Sequence, residues 1–189
     1  MALTVLIGGA RSAKSSLAVE WGRRWSEPIT YIATAPRPED AAEPDDEMAT
    51  RVDRHRSERP PEWSTIEETV DLAEALDRAG GAAVIVDCLT LWTSNLMWLG
   101  RSDAEIDELA ATVAERAAGY GRPVLAITNE VGLGVHPETH LGRRYRDVLG
   151  RVNQRWVAAA EQSVLLVAGK AVELRDPWDF LPDPLGGSR

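Results

Sequence analysis

The 189 residues carry 21 Lys+Arg against 30 Asp+Glu, a formal net charge of -9, with 44% hydrophobic and 27% charged residues. That length and balance suit one soluble domain with a true core. An acidic chain of this kind excludes general binding to nucleic acid or anionic membrane, both of which need a basic surface.

The cationic residues are 19 Arg and only two Lys, Lys14 and Lys170. Codon bias accounts for most of that excess. A lysine kept in an Arg-dominated chain still invites the question of what Arg cannot do there. The single cysteine, Cys88, precludes an internal disulfide, and no Cys/His cluster suggests structural zinc. The start, Met1 to Ile7, lacks the basic region of a secretory leader, and no apolar run is long enough to span a bilayer. The expected location is cytoplasmic.

In chain order, Leu3 to Ile7 reads as a buried strand ended by Gly8-Gly9, and residues 15–25 have helical apolar spacing. Residues 29–33 read as a second strand, and 36–44 as an acidic, Pro-rich loop. A helix is expected over 45–59, closed by Pro60-Pro61. A short strand at 63–66 and a helix at 70–78 follow, then a strongly apolar strand at 82–86 that ends at Asp87. Helices are expected over 89–99 and 103–118, a strand over 124–128, a long helix over 141–161, and strands over 163–168 and 171–174. Strands that are apolar throughout and alternate with helices indicate an α/β fold, its parallel sheet covered on both faces. One domain is expected over 1–176, with an irregular tail over 177–189.

In such folds ligands bind beyond the carboxyl ends of the strands. After the first strand stands Gly8-Gly9-Ala10-Arg11-Ser12-Ala13-Lys14-Ser15, close to the phosphate loop G-x-x-x-x-G-K-[ST]. Glycines let backbone N–H groups approach phosphate oxygens, and the following helix points its positive end at them. Lys14 would reach the outer phosphates as a point charge that a planar guanidinium does not replace, and Ser15 would hold Mg2+. Ala13 stands where the motif has glycine. If positive φ is required there, the methyl costs about 1 kcal/mol. A strand–turn–helix without a ligand is the competing reading.

Asp87, at a strand end downstream of such a loop, is a second metal candidate. Cys88 reads as a small core residue. In residues 45–60 acid gathers before Met48, and Arg51, Arg54, Arg56 and Arg59 then surround His55. On a helix Arg51, His55 and Arg59 would share a face, and the cations would favour a neutral, nucleophilic imidazole beside a polyphosphate. A solvated, salt-bridged helix explains the same pattern. Residues 128–138, from Thr128-Asn129-Glu130 to Pro137-Glu138, look like a substrate loop or a plain turn.

Taken together, GGARSAKS (8–15), YIATA (31–35), DDEMATRVDRHRSERP (45–60), TNEVGLGVHPE (128–138) and YRDVLGRVNQR (145–155) closely resemble one family. It is the bifunctional adenosylcobinamide kinase/adenosylcobinamide-phosphate guanylyltransferases of cobalamin biosynthesis. The resemblance implies a P-loop NTPase-like (RecA-like) fold. It also implies phosphorylation of the aminopropanol hydroxyl of adenosylcobinamide with ATP or GTP, then transfer of GMP from GTP through a guanylyl-histidine. By motif position that histidine is His55, with Lys14 as the second catalytic residue.

Nucleotide contacts would then map to Gly8, Gly9, Ala10, Arg11, Ser12, Ala13, Lys14 and Ser15; to Ala33, Thr34 and Ala35; to Arg56, Ser57, Glu58 and Arg59; and to Glu67 and Asp87. Ser15 and Asp87 would hold Mg2+. The family is homotrimeric, which would suit a chain with seven tryptophans. Ala13 leaves a guanylyltransferase with a weakened kinase step as an alternative, and a non-catalytic nucleotide-binding regulator as another.

Overall fold

A computed structural model of the chain describes residues 3–36 and 56–181. Seven strands form one sheet: β1 (Leu3–Gly8), β2 (Ile29–Ala33), β3 (Ser64–Glu67), β4 (Ala83–Asp87), β5 (Val124–Asn129), β6 (Gln162–Val167) and β7 (Lys170–Leu174). Their order is β3-β2-β4-β5-β1-β6-β7, and every pairing is parallel except the β6–β7 hairpin. Five α-helices lie among the described residues: α1 (Lys14–Gly22), α2 (Leu72–Arg78), α3 (Leu89–Trp98), α4 (Asp103–Ala118) and α5 (His140–Ala159).

The helix bounds follow local chemistry. Ser102 and Glu105 form a reciprocal capping box at the start of α4, which satisfies two backbone donors the first turn leaves open. Asp71 caps α2 through Glu74 N, and Thr139 caps α5 through Gly142 N. The helix expected over 45–59 lies mostly outside the described residues. Among the described residues Arg56 and Ser57 are helical and Arg59 is not. Pro60 is the reason, since the residue before a proline is driven out of the helical region.

The sheet's two faces are covered unequally. One side chain set, including Val5, Ile32, Val84, Val86 and Ala126, packs under α2, α3, α4 and α5 around the fully buried Trp92 and Trp156. The opposite set, with Leu6, Tyr31, Ile85, Leu125 and Ile127, packs under Ala18 of α1 and the partly buried Trp21, Trp25 and Trp63. Trp21 and Trp25 meet edge to face at 5.8 Å. A Cβ on Gly22 would lie 2.6 Å from the Trp63 ring, so glycine is what lets that ring lie flat on α1. Trp98 and Trp178 are exposed. No helix among the described residues is long and apolar enough to cross a membrane.

Candidate active site

The parallel register aligns the carboxyl ends of β1, β2, β4 and β5 along one edge, with Gly8 beside Asn129 and Ala33 beside Asp87. A cavity of about 620 Å³ opens there. Its first wall is the turn from β1 into α1. Arg11 and Ala13 both have positive φ, 58° and 73°, and Ala13 is the N-cap of α1 with no side-chain cap. The position where the motif expects glycine does therefore adopt the left-handed conformation that an L-residue resists. Gly8 has a steric reason as well: a Cβ there would meet Leu166 O at 2.5 Å and Ser12 Oγ at 2.7 Å. A Cβ on Gly9 would meet nothing within 4 Å.

Lys14 is buried, and its Nζ donates to Gly8 O (2.9 Å), Gly9 O (2.7 Å) and Ser12 Oγ (3.2 Å). The loop's own oxygens thus position the ammonium at the cavity, which Lys14 lines beside Ser12, Ser15 and Ser16. Gly8, Gly9 and Ala10 do not line the cavity.

The second wall is assembled from distant segments. Tyr31, on β2, donates its hydroxyl to Asp87 Oδ2 across the sheet. The Arg59 guanidinium lies 3.9 Å above the Tyr31 ring, a cation–π contact. Burial, and then the neighbouring Asp87 carboxylate, raise the Tyr31 hydroxyl well above its ordinary pKa, so it stays a donor. Arg56 pairs with Glu67 at the end of β3. Arg56, Glu58, Arg59, Glu67, Asp87, Ala33 and Ala35 all line the cavity. Thr34 does not: it is fully buried, donating its hydroxyl to Cys88 O and accepting from Cys88 N, both at 2.7 Å. Ser57 is also absent from the lining. His55 lies outside the described residues.

Thr90, Leu91 and Ile127, which the sequence did not single out, also line the cavity, as does Asn129 from the segment read as a substrate loop. Thr90 Oγ1 accepts from Asn129 N (2.9 Å), and Asn153 on α5 donates to Asn129 O (3.0 Å) while accepting from Thr128. The buried amide of Asn153 is thus the tie between α5 and the end of β5. In the sequence Asn153 stood only within the YRDVLGRVNQR segment, 145–155. Cys88 also lines the cavity, and burial followed by the Asp87 carboxylate pushes its thiol up to about 11. It is a protonated thiol at neutral pH, not a nucleophile.

The cavity supplies hard oxygen donors, the Ser15 hydroxyl and the Asp87 carboxylate. That set fits Mg2+, which is commonly held by one or two carboxylates together with substrate phosphates.

A search among solved structures finds the same architecture in a KaiC-like protein of Pyrococcus horikoshii, with a TM-score of 0.51 at 14% identity over 87% of this chain and 70% of that one. The likeness is one of fold: a mostly parallel sheet between helices. Among characterised sequences, the bifunctional adenosylcobalamin biosynthesis protein CobP of Pseudomonas aeruginosa is 38% identical over 90% of this chain and 96% of its own length. The corresponding CobU of Escherichia coli is 36% identical over 92% of this chain and 99% of its own. The family described as cobinamide kinase / cobinamide phosphate guanyltransferase matches residues 4–174. A match of that extent shows that the chain belongs to this family of bifunctional enzymes.

Proposed function

We propose that the protein phosphorylates adenosylcobinamide with ATP or GTP and then guanylylates the product, giving adenosylcobinamide-GDP. The observation that carries this reading is the cavity itself. It joins Lys14 and Ser15, Asp87, and the Arg56–Arg59 stretch that directly follows His55.

In the first step the aminopropanol hydroxyl attacks the γ-phosphorus of the nucleotide. The bond to the β-phosphate oxygen breaks, the diphosphate leaves, and the hydroxyl proton passes to solvent. Lys14 would neutralise the negative charge that builds on the transferred group and the leaving oxygens. Ser15 and Asp87 would hold Mg2+, which supplies further neutralisation of phosphate charge when bound. Tyr31 fixes the orientation of Asp87, and Thr34 with Cys88 fixes the strand end behind it.

In the second step an imidazole nitrogen of His55 attacks the α-phosphorus of GTP, and pyrophosphate leaves. The P–N bond so formed is then broken by a phosphate oxygen of the phosphorylated corrinoid, which takes up GMP and frees the imidazole. Arg56 and Arg59 would neutralise the triphosphate during this transfer. The working form is taken to be a cytoplasmic homotrimer, on family resemblance.

Incubation with α-labelled GTP and Mg2+, followed by denaturation, tests the second step. Acid-labile, base-stable label is expected on the wild type and absent from His55→Ala. No label on the wild type, or equal label on the variant, overturns the guanylyl-histidine.

A further inference from the structure

The chain has three asparagines, and two of them spend their amides inside the fold. Asn95 on α3 donates to Thr34 O (2.9 Å) and Thr69 O (3.0 Å). Asn153 on α5 accepts from Thr128 Oγ1 (2.7 Å) and donates to Asn129 O (3.0 Å). The third, Asn129, closes β5 and lines the cavity, and its carboxamide makes no hydrogen bond to another described residue. Its backbone, by contrast, is held twice. The N–H donates to Thr90 Oγ1 (2.9 Å), and the carbonyl accepts from Asn153, itself only 5% exposed. Side chains of α3 and α5 thus fix where Asn129 stands, while its two amide donors and its acceptor are left to whatever the cavity admits.

Topology sets what that amide meets. β5 lies between β1 and β4 in the sheet. Asn129 is in register with Gly8, where the turn to Lys14 begins, and Ile127 is in register with Asp87. Side chains alternate along a strand, so Asn129 shares the face of Ile127, which also lines the cavity. Thr128 points to the other face, where Asn153 meets it. The carboxamide therefore stands between the strand end that leads to Lys14 and the strand end that carries Asp87, in one cavity with both. We infer that Asn129 is a catalytic residue of the kinase step, its Nδ2 amide donating to an oxygen of the γ-phosphoryl group as that group is transferred. A donor held in place by the fold stabilises charge that builds in the transition state without reorganising first. A neutral one does so without adding another cation to a cavity already lined by Lys14, Arg11, Arg56 and Arg59. The inference rests on the function proposed above for the acceptor of the phosphoryl group; the γ-phosphate contact itself needs only a nucleoside triphosphate in the cavity.

Two variants test it, Asn129→Ala, which removes the amide, and Asn129→Asp, which keeps its shape and replaces the donor by a charge. Both keep the backbone groups that Thr90 and Asn153 hold, and thermal unfolding checks the fold. Calorimetry with Mg2+ and no corrinoid first compares ADP with the β,γ-imido analogue of ATP. Asn129→Asp should weaken the analogue at least about tenfold more than ADP, because its carboxylate faces the γ-phosphate alone. Equal weakening of the two nucleotides, or of neither, overturns the inference. Transfer from γ-labelled ATP to adenosylcobinamide is then timed at saturation. Asn129→Ala should lower kcat at least about tenfold with ADP affinity within about twofold of wild type. A smaller drop in kcat overturns the catalytic role. Loss of cooperative unfolding in both variants would make Asn129 a structural residue and overturns it as well. A wild type that binds both nucleotides and leaves the corrinoid unphosphorylated overturns the proposed function instead, and the affinity ratio still decides the γ-phosphate contact.

Discussion

The two walls of the cavity are built in opposite ways. The wall at residues 8–15 is one contiguous turn whose groups hold one another: Lys14 bonds to Gly8, Gly9 and Ser12. The facing wall has no local logic. Arg59, Tyr31 and Asp87 come from three separate segments and meet only because β2 pairs with β4 and the 56–60 stretch folds over β2. A contiguous wall shows in sequence as a motif. An assembled wall shows only as isolated residues, each with an innocent explanation.

Substitutions should separate the two. The largest effect is expected at Lys14. Lys14→Met should slow phosphorylation of adenosylcobinamide by a factor of about 100 or more in kcat/KM, measured with γ-labelled ATP. A loss below about tenfold would show that the first wall does not stabilise the transferred phosphoryl group.

Within that same wall the two glycines should behave differently. Gly8→Ala forces a Cβ into Leu166 O and should cost about 1–3 kcal/mol in denaturant unfolding. Gly9→Ala meets open space and should stay within about 0.5 kcal/mol. Similar values for both would mean that motif chemistry, not packing against β6, selects Gly8.

The assembled wall is probed by Tyr31→Phe. It removes the hydroxyl that fixes Asp87 while leaving the ring under Arg59. Kinase kcat should drop roughly tenfold, the Mg2+ concentration for half-maximal rate should rise, and KM for ATP should change little. An unchanged Mg2+ requirement would show that Asp87 holds its orientation without Tyr31.

A smaller gain is expected from Ala13→Gly. Relief of the left-handed φ should add about 1 kcal/mol and raise Tm by roughly 2–4 °C. No rise in Tm would mean that the surrounding turn imposes no cost on Ala13. Smallest of all, and remote from both walls, is Asp103, whose carboxyl is held below its ordinary pKa by hydrogen bonds from Arg144 and then Arg151. A depressed pKa stabilises the fold above the unfolded value, and that contribution disappears as pH falls through the folded one. Asp103→Asn should therefore lower Tm slightly at pH 7, and the difference should start to shrink below about pH 4 and vanish once pH falls past the depressed folded value. A difference that persists in acid would make the role steric.

The same contrast explains what was legible in the sequence. Buried strands declared themselves by unbroken apolar runs, and α4 kept both expected bounds because Ser102 and Glu105 encode its start. The 8–15 motif was readable because it is contiguous, and the positive φ at Ala13 was foreseeable from the missing glycine. Arg59 was placed on the helix that Pro60-Pro61 was read to close, and the helical residues stop earlier, at Ser57. Tyr31 was visible as a strand residue and not as a partner of Asp87, since a separation of 56 residues leaves no local signal. Thr34 belonged to a motif, yet its side chain is spent on the Cys88 backbone behind the cavity wall.

The most direct measurement is a single-turnover reaction of wild-type protein with γ-labelled ATP, Mg2+ and adenosylcobinamide. A cavity that performs this transfer should place the label on the corrinoid in step with ADP formation. Label released only as inorganic phosphate, or ATP left unchanged, would contradict it.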